Sequence, residues 1–546
     1  MALVVLGFVA TLLGLAACGG GGGSTAATGS GGGPAPPPPV TGSTLNVLTY
    51  HNDNARDGLN AQETTLTPAN VNSSDFGKTA FFSTDGKVDA QPLYVSALNI
   101  NGSTHNVLYV ASEHDSVYAF DADSSAVLWQ VSLLGTGEMP SDDRGCDQVS
   151  PEIGVTATPV IDLKAGAHGA IFVVAMSKDA NGNYYQRLHA LDLASGAELA
   201  SSPVTVQAKY PGTGDNSANG YVVFDPEQYK ERPGLLLLND VVYTFWSSHC
   251  DDRPYTGWII AYNEQALAQT SVLDFTPNGS EGSVWASGAG PAADSNGNIY
   301  FLAANGTFDT TLDANGYPVN QDYGNAFLKL STSGNTLAVA DYFNMYNTVS
   351  ESNADEDLGS GGALLLPDFT DASGNIRHLA VGAGKDQAIY VVDTSNMGKF
   401  NPNGDQIWQE IPNGLGGSEF GMPAYFNGTV YYGAVGDAIR ALPVSNALLA
   451  TAPASQTANT FVYPGATPSI SANSTADGIV WAVENSNPAV LYAYDAGNLA
   501  NELYDSNQAG TRDQFGAGNK FITPTIANGK VYVGTTNGVA VFGLLH

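Results

Sequence analysis

Four short polar stretches of this 546-residue sequence carry side chains that could do chemistry. They are residues 251–257, 305–306, 354–368 and 384–386. Amide and carboxylate oxygens suit a hard cation such as Ca²⁺, a carboxylate can move a proton, and a lysine can stabilise negative charge. Plainer interpretations exist, because an Asn before a Gly is a common turn and an acidic loop is often simply solvated. The chemistry therefore depends on whether the fold brings these stretches together.

Residues 106–131, NVLYVASEHDSVYAFDADSSAVLWQV, show the kind of element that must position them. Three strand-like runs, 107–111, 116–120 and 127–131, are separated by polar turns, which predicts a three-stranded meander. The meander is apolar on both faces, so a single sheet would leave apolar surface in water. Similar units end in a turn residue at Asp192, Asn263, Asp393 and Asp495. Repetition at roughly 40–75 residues predicts a β-propeller.

The first strands of eight blades are predicted beside a Pro or Gly. They lie at residues 91–93, 158–160, 233–235, 290–292, 362–364, 422–424, 467–469 and 523–525. The last unit, residues 521–545, has room for only three strands, and residues 79–83 form a strand without a unit. We therefore predict an all-β, eight-bladed propeller of four-stranded antiparallel blades, closed by this N-terminal strand. Loops between blades, and between second and third strands, then share one face, where a site could assemble.

Composition narrows the functions that fit. The 19 Lys and Arg residues against 52 Asp and Glu residues give a net charge of −33, which excludes nucleic acid as a partner because its phosphates would be repelled. No phosphate-binding glycine motif follows a strand, and the scattered histidines, His114 and His249 among them, have no third partner spaced for zinc. The sequence has no Cys-x-x-Cys-His motif, so no fused haem domain is expected.

The N-terminal residues predict export. Residues 1–17 are apolar but too short for a comfortable membrane span. Leu15-Ala16-Ala17-Cys18 resembles the lipobox of bacterial lipoproteins, which implies that Cys18 is lipidated and that this lipid is the only membrane attachment. Gly19 after it favours the outer membrane, facing the periplasm; a plain secretory signal is the alternative. Residues 19–44 form a Gly/Ser/Pro-rich tether, and residues 45–546 form the propeller.

The blade series and the polar stretches together resemble the eight-bladed quinoprotein alcohol dehydrogenases, over residues 45–546. The resemblance implies pyrroloquinoline quinone (PQQ) and Ca²⁺ in the funnel of the propeller. Within IYFLAANGTFD and DDRPYTGW, it maps Ca²⁺ ligands onto Asn305 and Asp252. Within ADEDLGSGG, it maps the catalytic Asp, which also lies at the metal, onto Asp357. Lys385, in GKD, corresponds to the catalytic basic residue beside the quinone oxygens.

Two features differ from the pattern of that family. Its enzymes carry two adjacent cysteines over the cofactor, whereas here Gly145 precedes Cys146, so Cys146 alone takes that cofactor-binding place. Trp285, the expected stacking partner of the quinone, lies a few residues from the place of the family's Trp.

A disulfide is predicted between Cys146 and Cys250. With Cys18 lipidated, they are the remaining thiols of an exported chain, and both are expected on one face of the propeller, one blade apart. Two buried free cysteines are the alternative.

Two functions of different class follow. The first is a PQQ- and Ca²⁺-dependent dehydrogenase that oxidises an alcohol or sugar in the funnel. The second is a non-catalytic binding or assembly scaffold of the bacterial cell envelope, and a polysaccharide-directed activity ranks third. The expected partner is accordingly a small-molecule substrate or an envelope protein, bound by a monomer.

Overall fold

The structure is a computed structural model and describes residues 46–545. The predicted signal segment, Cys18 and the tether lie outside the described residues. Nearly all the regular structure is β-strand, as predicted for a propeller. The helical elements are the α-helix Thr348–Asn353 and the 3₁₀ turns Ala286–Gly288, Ser333–Asn335, Leu358–Ser360 and Gly510–Arg512. No helix within residues 46–545 is long and apolar enough to cross a membrane.

Eight of the sheets contain four antiparallel strands in the order of a propeller blade, and we number them by their first strand. Sheets 1–4 comprise, in turn, Leu93–Ile100, Ser103–Ser112, Ser116–Asp121 and Val127–Ser132; Val160–Asp162, Ala170–Asp179, Tyr184–Asp192 and Val204–Thr205; Leu236–Leu238, Val241–Ser247, Trp258–Asn263 and Gln269–Asp274; and Ala292–Ala293, Asn298–Leu302, Phe327–Ser331 and Ala338–Phe343. Sheets 5–8 comprise Leu364–Leu365, Leu379–Ala383, Ile389–Asp393 and Gln409–Ile411; Ala424–Phe426, Thr429–Tyr432, Arg440–Ser445 and Leu448–Leu449; Ser469–Asn473, Ala476–Glu484, Val490–Asp495 and Glu502–Asp505; and Thr525–Ala527, Lys530–Thr535, Gly538–Leu544 and Phe76–Ser83.

Ten short strands add to this pattern. Sheet 2 is extended by Glu138–Asp142 and Glu152–Ile153, sheet 3 by Lys230–Glu231, sheet 6 by Ser455–Gln456 and sheet 7 by Leu59–Asn60. Lys209–Pro211, Ser217–Ala218 and Tyr221–Val223 form a separate three-stranded sheet, and Phe369–Thr370 pairs with Ile376–Arg377.

Local chemistry explains why the strands end where they do. After the third strand of sheet 1, Oδ1 of Asp121 accepts hydrogen bonds from the backbone N of Asp123 at 3.0 Å and of Ser124 at 2.7 Å. In sheet 2, Oδ1 of Asp192 accepts in the same way from Ala194 at 3.1 Å and Ser195 at 3.0 Å. Both aspartates therefore cap their own turns, as predicted for Asp192, and the chain reverses into the fourth strand.

The N-terminal strand closes the ring. Phe76–Ser83 pairs antiparallel with Gly538–Leu544, as predicted for residues 79–83, and the strand begins three residues earlier than expected. The ring of Phe82 lies 5.0 Å from that of Phe120 in sheet 1 and 6.5 Å from that of Tyr532 in sheet 8. One apolar cluster contains residues of sheets 8, 1 and 2, and another joins sheets 7 and 8. The first and last blades therefore bury each other's faces.

Residues 46–63, which we call the axial segment, contact the first strand of every sheet in turn. Its hydrogen-bond partners are Tyr94, Ile161, Leu237, Ala293, Leu365, Tyr425, Ile470 and Ile526. Because the first strands of all eight sheets lie around the axis, one chain segment that reaches all of them fills the channel between them. The axial segment therefore forms a floor for the funnel of the propeller.

Arg56 anchors the axial segment. Its side chain is fully buried and donates to the backbone O of Tyr50 at 2.7 Å, of Pro291 at 2.9 Å and of Leu235 at 3.3 Å. These acceptors belong to the axial segment itself and to the chain that leads into sheets 4 and 3. Arg56 thus satisfies buried backbone acceptors at the centre of the ring.

Candidate active site

Asn305, Asp357 and Lys385 lie on neighbouring loops of one face, which we call the funnel face. Asn305 follows the second strand of sheet 4, Asp357 precedes the 3₁₀ turn Leu358–Ser360 that leads into sheet 5, and Lys385 follows the second strand of sheet 5. These loops are of the two kinds that the propeller geometry places on a shared face. The fold therefore brings three of the sequence-predicted residues together.

Their polar atoms form one network. Nζ of Lys385 lies 2.5 Å from Oδ2 of Asp357, and the backbone N of Asn305 donates to Oδ1 of Asp357 at 2.6 Å. Oδ1 of Asp355 accepts from Nζ of Lys385 at 2.6 Å and from Nδ2 of Asn305 at 2.9 Å. Asp355 therefore joins the site, although it is not among the residues that the sequence predicts for it. Its left-handed backbone, φ 62°, turns its carboxylate back toward the site.

Burial and neighbouring charges shift the pKa values of both Asp357 and Lys385. Burial raises the pKa of Asp357 to about 6, against the lowering effect of Lys385 and of the hydrogen bond from Asn305. Burial would lower the pKa of Lys385, but the carboxylates of Asp357 and Asp355 outweigh this and raise it. At neutral pH Asp357 is thus an ionised carboxylate whose pKa lies close to the working pH, as general-base catalysis requires.

Trp285 forms an aromatic wall beside the network. It precedes a tight turn in which Ala286 and Ser287 are left-handed, with φ 42° and 50°. Nζ of Lys385 lies 5.9 Å from the centroid of the Trp285 ring, and the ring of Phe420 also lies 5.9 Å from it. The predicted stacking residue is therefore adjacent to the predicted basic residue.

Asp252 is not joined to this network. Its side chain is exposed, and its backbone carbonyl accepts a hydrogen bond from Gln228. Within residues 46–545, no hydrogen bond or ion pair links the Asp252 carboxylate to Asn305 or Asp357. The adjacent Asp251 is held by Tyr255, whose OH donates to it at 3.0 Å, and its negative charge raises the pKa of Asp357. Asp251 is therefore the carboxylate of this loop that acts on the site.

Cys146 and Cys250 form the predicted disulfide, across 104 residues of sequence. The bond joins the loop that precedes sheet 2 to the loop between the second and third strands of sheet 3. Cys146 is buried, so its sulfur is committed to this link and is not free to contact a ligand as a thiol. The disulfide fixes the loop that carries Asp251.

The sequence matches no protein-family model and no curated protein. Solved structures are similar to it. They include the quinohemoprotein alcohol dehydrogenase of Comamonas testosteroni (16% identity, 92% of this chain and 80% of that one, TM-score 0.58) and a quinohemoprotein alcohol dehydrogenase of Pseudomonas putida HK5 (13%, 91% and 80%, TM-score 0.61). A europium-containing methanol dehydrogenase is also similar (14%, 91% and 98%, TM-score 0.56). The chain shares the β-propeller fold of these structures.

One acceptor of the network is available to a metal ion. Oδ1 of Asn305 is buried and has no hydrogen-bond partner within the described residues, so it is an acceptor that a cation would satisfy. No group of three or more His, Cys, Asp or Glu side chains in residues 46–545 is arranged to hold a metal ion by itself. A cation at Asn305 would therefore need further oxygen ligands from a bound molecule.

Two buried cations, Lys230 and Arg232, were missed by sequence reasoning. Nζ of Lys230 donates to the carbonyl of Ser248 at 2.8 Å, and burial together with the charge of Arg232 lowers its pKa to about 7. Arg232 lies 5.1 Å from the Phe521 ring, and a Cβ on Gly288, next to Ser287, would come within 2.6 Å of its guanidinium. Neither makes a salt bridge among the described residues. The sequence feature that could have pointed to Lys230 and Arg232 is their position just before the first strand of a blade.

Proposed function

We propose that the chain is an exported dehydrogenase that oxidises an alcohol or a sugar at the funnel face, with PQQ and Ca²⁺ as cofactors. The observation that carries this proposal is the network of Asp357, Lys385 and Asn305, in which the Asn305 amide oxygen is buried and left without a partner. A structural turn would not need that combination of a buried carboxylate, a lysine and an unsatisfied acceptor.

Buried positive charge supports an anionic cofactor. Lys230 and Arg232 are about 5% exposed and make no salt bridge among the described residues, although the protein carries a net charge of −33. Burial and the charge of Arg232 lower the pKa of Lys230 to about 7, so an anionic ligand beside it would favour its charged form. The carboxylates of a bound quinone are ligands of that kind.

The chemistry of the site follows from its residues. Asp357 accepts the proton of the substrate hydroxyl, because its carboxylate is ionised at neutral pH and lies against the loop of Asn305. Lys385 keeps Asp357 ionised and stabilises negative charge that develops near its ammonium. Trp285 restricts the space beside Lys385 and offers a planar surface. When bound, the quinone would supply a hydride acceptor and Ca²⁺ a Lewis acid. Asn305 would help to hold the Ca²⁺.

The proposal extends to location. The segment ending at Cys18 favours export and lipid attachment to the outer membrane, with the propeller facing the periplasm. An extracytoplasmic compartment is also one in which the disulfide between Cys146 and Cys250 persists.

Reconstitution tests the proposal. The purified protein is incubated with PQQ and CaCl₂, separated from free cofactor, and assayed by absorbance, mass spectrometry and dye-linked oxidation of primary alcohols and aldoses. We expect retained quinone and turnover of at least one substrate class. Asp357→Asn should abolish turnover and keep the quinone, whereas Asp368→Asn, in an exposed part of the same acidic stretch, should change neither. Folded protein that retains no quinone would exclude this function.

The scaffold function is the second candidate, and one observation favours it. Aromatic side chains from four blade-joining loops contact one another on the funnel face: Trp285 and Phe420 at 5.9 Å, Phe420 and Tyr463 at 5.4 Å, and Tyr463 and Phe521 at 6.2 Å. Such a surface also suits a protein partner. Loss of partner binding on Tyr463→Ala, in protein that retains no quinone, would support the scaffold.

A further inference from the structure

A second pocket, of about 410 Å³, lies between the outer strands of sheets 3 and 4. Its walls come from residues 273–275, from residues 337–339 at the start of the last strand of sheet 4, from Tyr210, and from residues 313–323. Asn305, Asp357 and Lys385 are not among the lining residues, so the pocket is separate from the candidate active site. The volume lies in the range of about 300–1,000 Å³ typical of small-ligand sites.

Two insertions into the blade pattern build this pocket. One is the three-stranded sheet that begins with Lys209–Pro211, and the other is the loop between the second and third strands of sheet 4. Asn278, in the loop after sheet 3, contacts both insertions, because its backbone N donates to Asp322 at 2.9 Å and its Oδ1 accepts from the backbone N of Thr213 at 3.1 Å. Thr213, beside the first insertion, donates its backbone N to the carbonyl of Pro277 at 3.0 Å.

The aromatic walls are fixed by internal contacts. The OH of Tyr317 donates to the carbonyl of Ala340 at 2.6 Å, and its ring lies 6.0 Å from that of Tyr342. Tyr323 packs edge-on against Tyr342 at 5.3 Å, and its backbone N donates to Phe275 at 2.8 Å. A ligand would therefore meet rings that lose little freedom when it binds.

The polar groups of the walls determine the charge of the ligand. Oδ1 of Asp313 accepts from the backbone N of Asn315 at 2.8 Å and of Tyr317 at 2.9 Å, and Oδ2 has no partner within the described residues. Asp274, which also lines the pocket, is buried, and Oγ1 of Thr256 donates to it at 2.6 Å. No lining residue is Lys, Arg or His, so an anion would find no partner. One face of Tyr317 is already covered by Nζ of Lys399 at 4.9 Å, which disfavours a cation there.

We propose that this pocket binds an uncharged saccharide. A sugar ring has C–H faces that pack against tyrosine and aliphatic side chains, and hydroxyls that donate to carboxylate oxygens. The walls offer both surfaces: Tyr210, Tyr317 and Tyr323 with Leu273 and Val339, and the acceptors Asp313 and Gln321. The site does not depend on the function of the funnel.

Saturation-transfer NMR on the full chain tests the proposal. The probes are glucose, galactose, mannose, N-acetylglucosamine, cellobiose and maltose, with acetate and choline as charged comparisons. We expect at least one neutral sugar to bind with a Kd of roughly millimolar or below. Tyr317→Ala should reduce that affinity about tenfold or more, and so should Val319→Trp, which fills the mouth from an exposed position.

The control is Tyr346→Ala, an exposed tyrosine that does not line the pocket. It should leave sugar binding unchanged. Binding of none of the sugars, binding of choline or acetate instead, or sugar binding that survives both pocket variants would each overturn the proposal.

Discussion

The ammonium of Lys385 lies 2.5 Å from the carboxylate of Asp357. The same two residues are also joined through the main chain, because the backbone N of Lys385 donates to the carbonyl of Asp357 at 2.8 Å. The approach requires Gly384, because a Cβ at that position would lie 2.3 Å from the Asp357 carbonyl oxygen. Main chain and side chain therefore fix the carboxylate of one loop against the lysine of another. This is the structural basis of the proposed general base.

The first prediction concerns pH. Burial raises the pKa of Asp357 to about 6 in the metal-free fold, and a bound Ca²⁺ would lower it, so turnover of the reconstituted enzyme should increase with pH through a midpoint at or below 6 and level off above it. Lys385→Met removes the charge that favours the ionised form, so the midpoint of kcat/KM should move up by about one to three pH units. Lys329→Met, on sheet 4 away from the network, is the control and should keep the midpoint. An unshifted profile in Lys385→Met would contradict the role of this pair.

Glu419 should make the stability of the protein depend on pH. Burial raises its pKa to about 8, and its Oε2 has no partner within the described residues. The folded state thus favours the neutral acid. Its contribution is complete below about pH 4.5 and is lost as the pH rises through 8, by about 1.4 kcal/mol per pH unit.

Glu419→Gln should remove that dependence and raise the free energy of unfolding at pH 8 relative to the wild-type protein. Denaturant unfolding at pH 5 and pH 8 measures it, with the exposed Glu227→Gln as the control. Equal pH dependence in the wild type and Glu419→Gln would show that this residue is already ionised in the fold.

The disulfide should stabilise the funnel face. Replacing Cys146 and Cys250 by Ser removes a cross-link over 104 residues, and the expected loss is about 3–5 kcal/mol in the free energy of unfolding. Peptide mapping of denatured, unreduced protein should find the two cysteines in one linked peptide pair. Recovery of both as free thiols would contradict the structure.

Arg56 should be needed for folding rather than for chemistry. Its guanidinium donates to five oxygen atoms at the centre of the ring. Arg56→Met leaves those acceptors buried without a donor, and we expect a loss of about 3–5 kcal/mol by thermal or denaturant unfolding. Arg253→Met, which breaks an exposed ion pair with Asp215, should cost about 1 kcal/mol or less. Similar losses in both variants would contradict the anchoring role.

Much of the fold could be predicted because its signals are local. Strand composition, a Pro or Gly before each first strand, and turn-capping residues such as Asp121 and Asp192 act within a few residues. The closing strand Phe76–Ser83 followed from counting strands in the last unit. The path of the axial segment could not be predicted, because its partners are mostly backbone groups, which leave no pattern in the sequence.

The candidate site was predicted in part for similar reasons. Asn305, Asp357 and Lys385 stand next to strands whose positions the blade pattern gives. Asp355 and Asp251 depend instead on left-handed turns, with φ 62° and 57°, that redirect one carboxylate of an acidic pair. Which carboxylate of such a pair acts on the site is set by the turn, and residue type alone does not reveal it.

The coupling between Ca²⁺ and quinone binding tests the central claim most directly. Quinone affinity is measured by equilibrium binding at several Ca²⁺ concentrations, for the wild-type protein and for Asn305→Ala. If the unpartnered oxygen of Asn305 helps to hold the cation, Ca²⁺ should tighten quinone binding about 5- to 150-fold in the wild type and much less in the variant. Quinone binding that depends on neither Ca²⁺ nor Asn305, or no quinone binding to the folded wild-type protein, would contradict the proposed cofactor site.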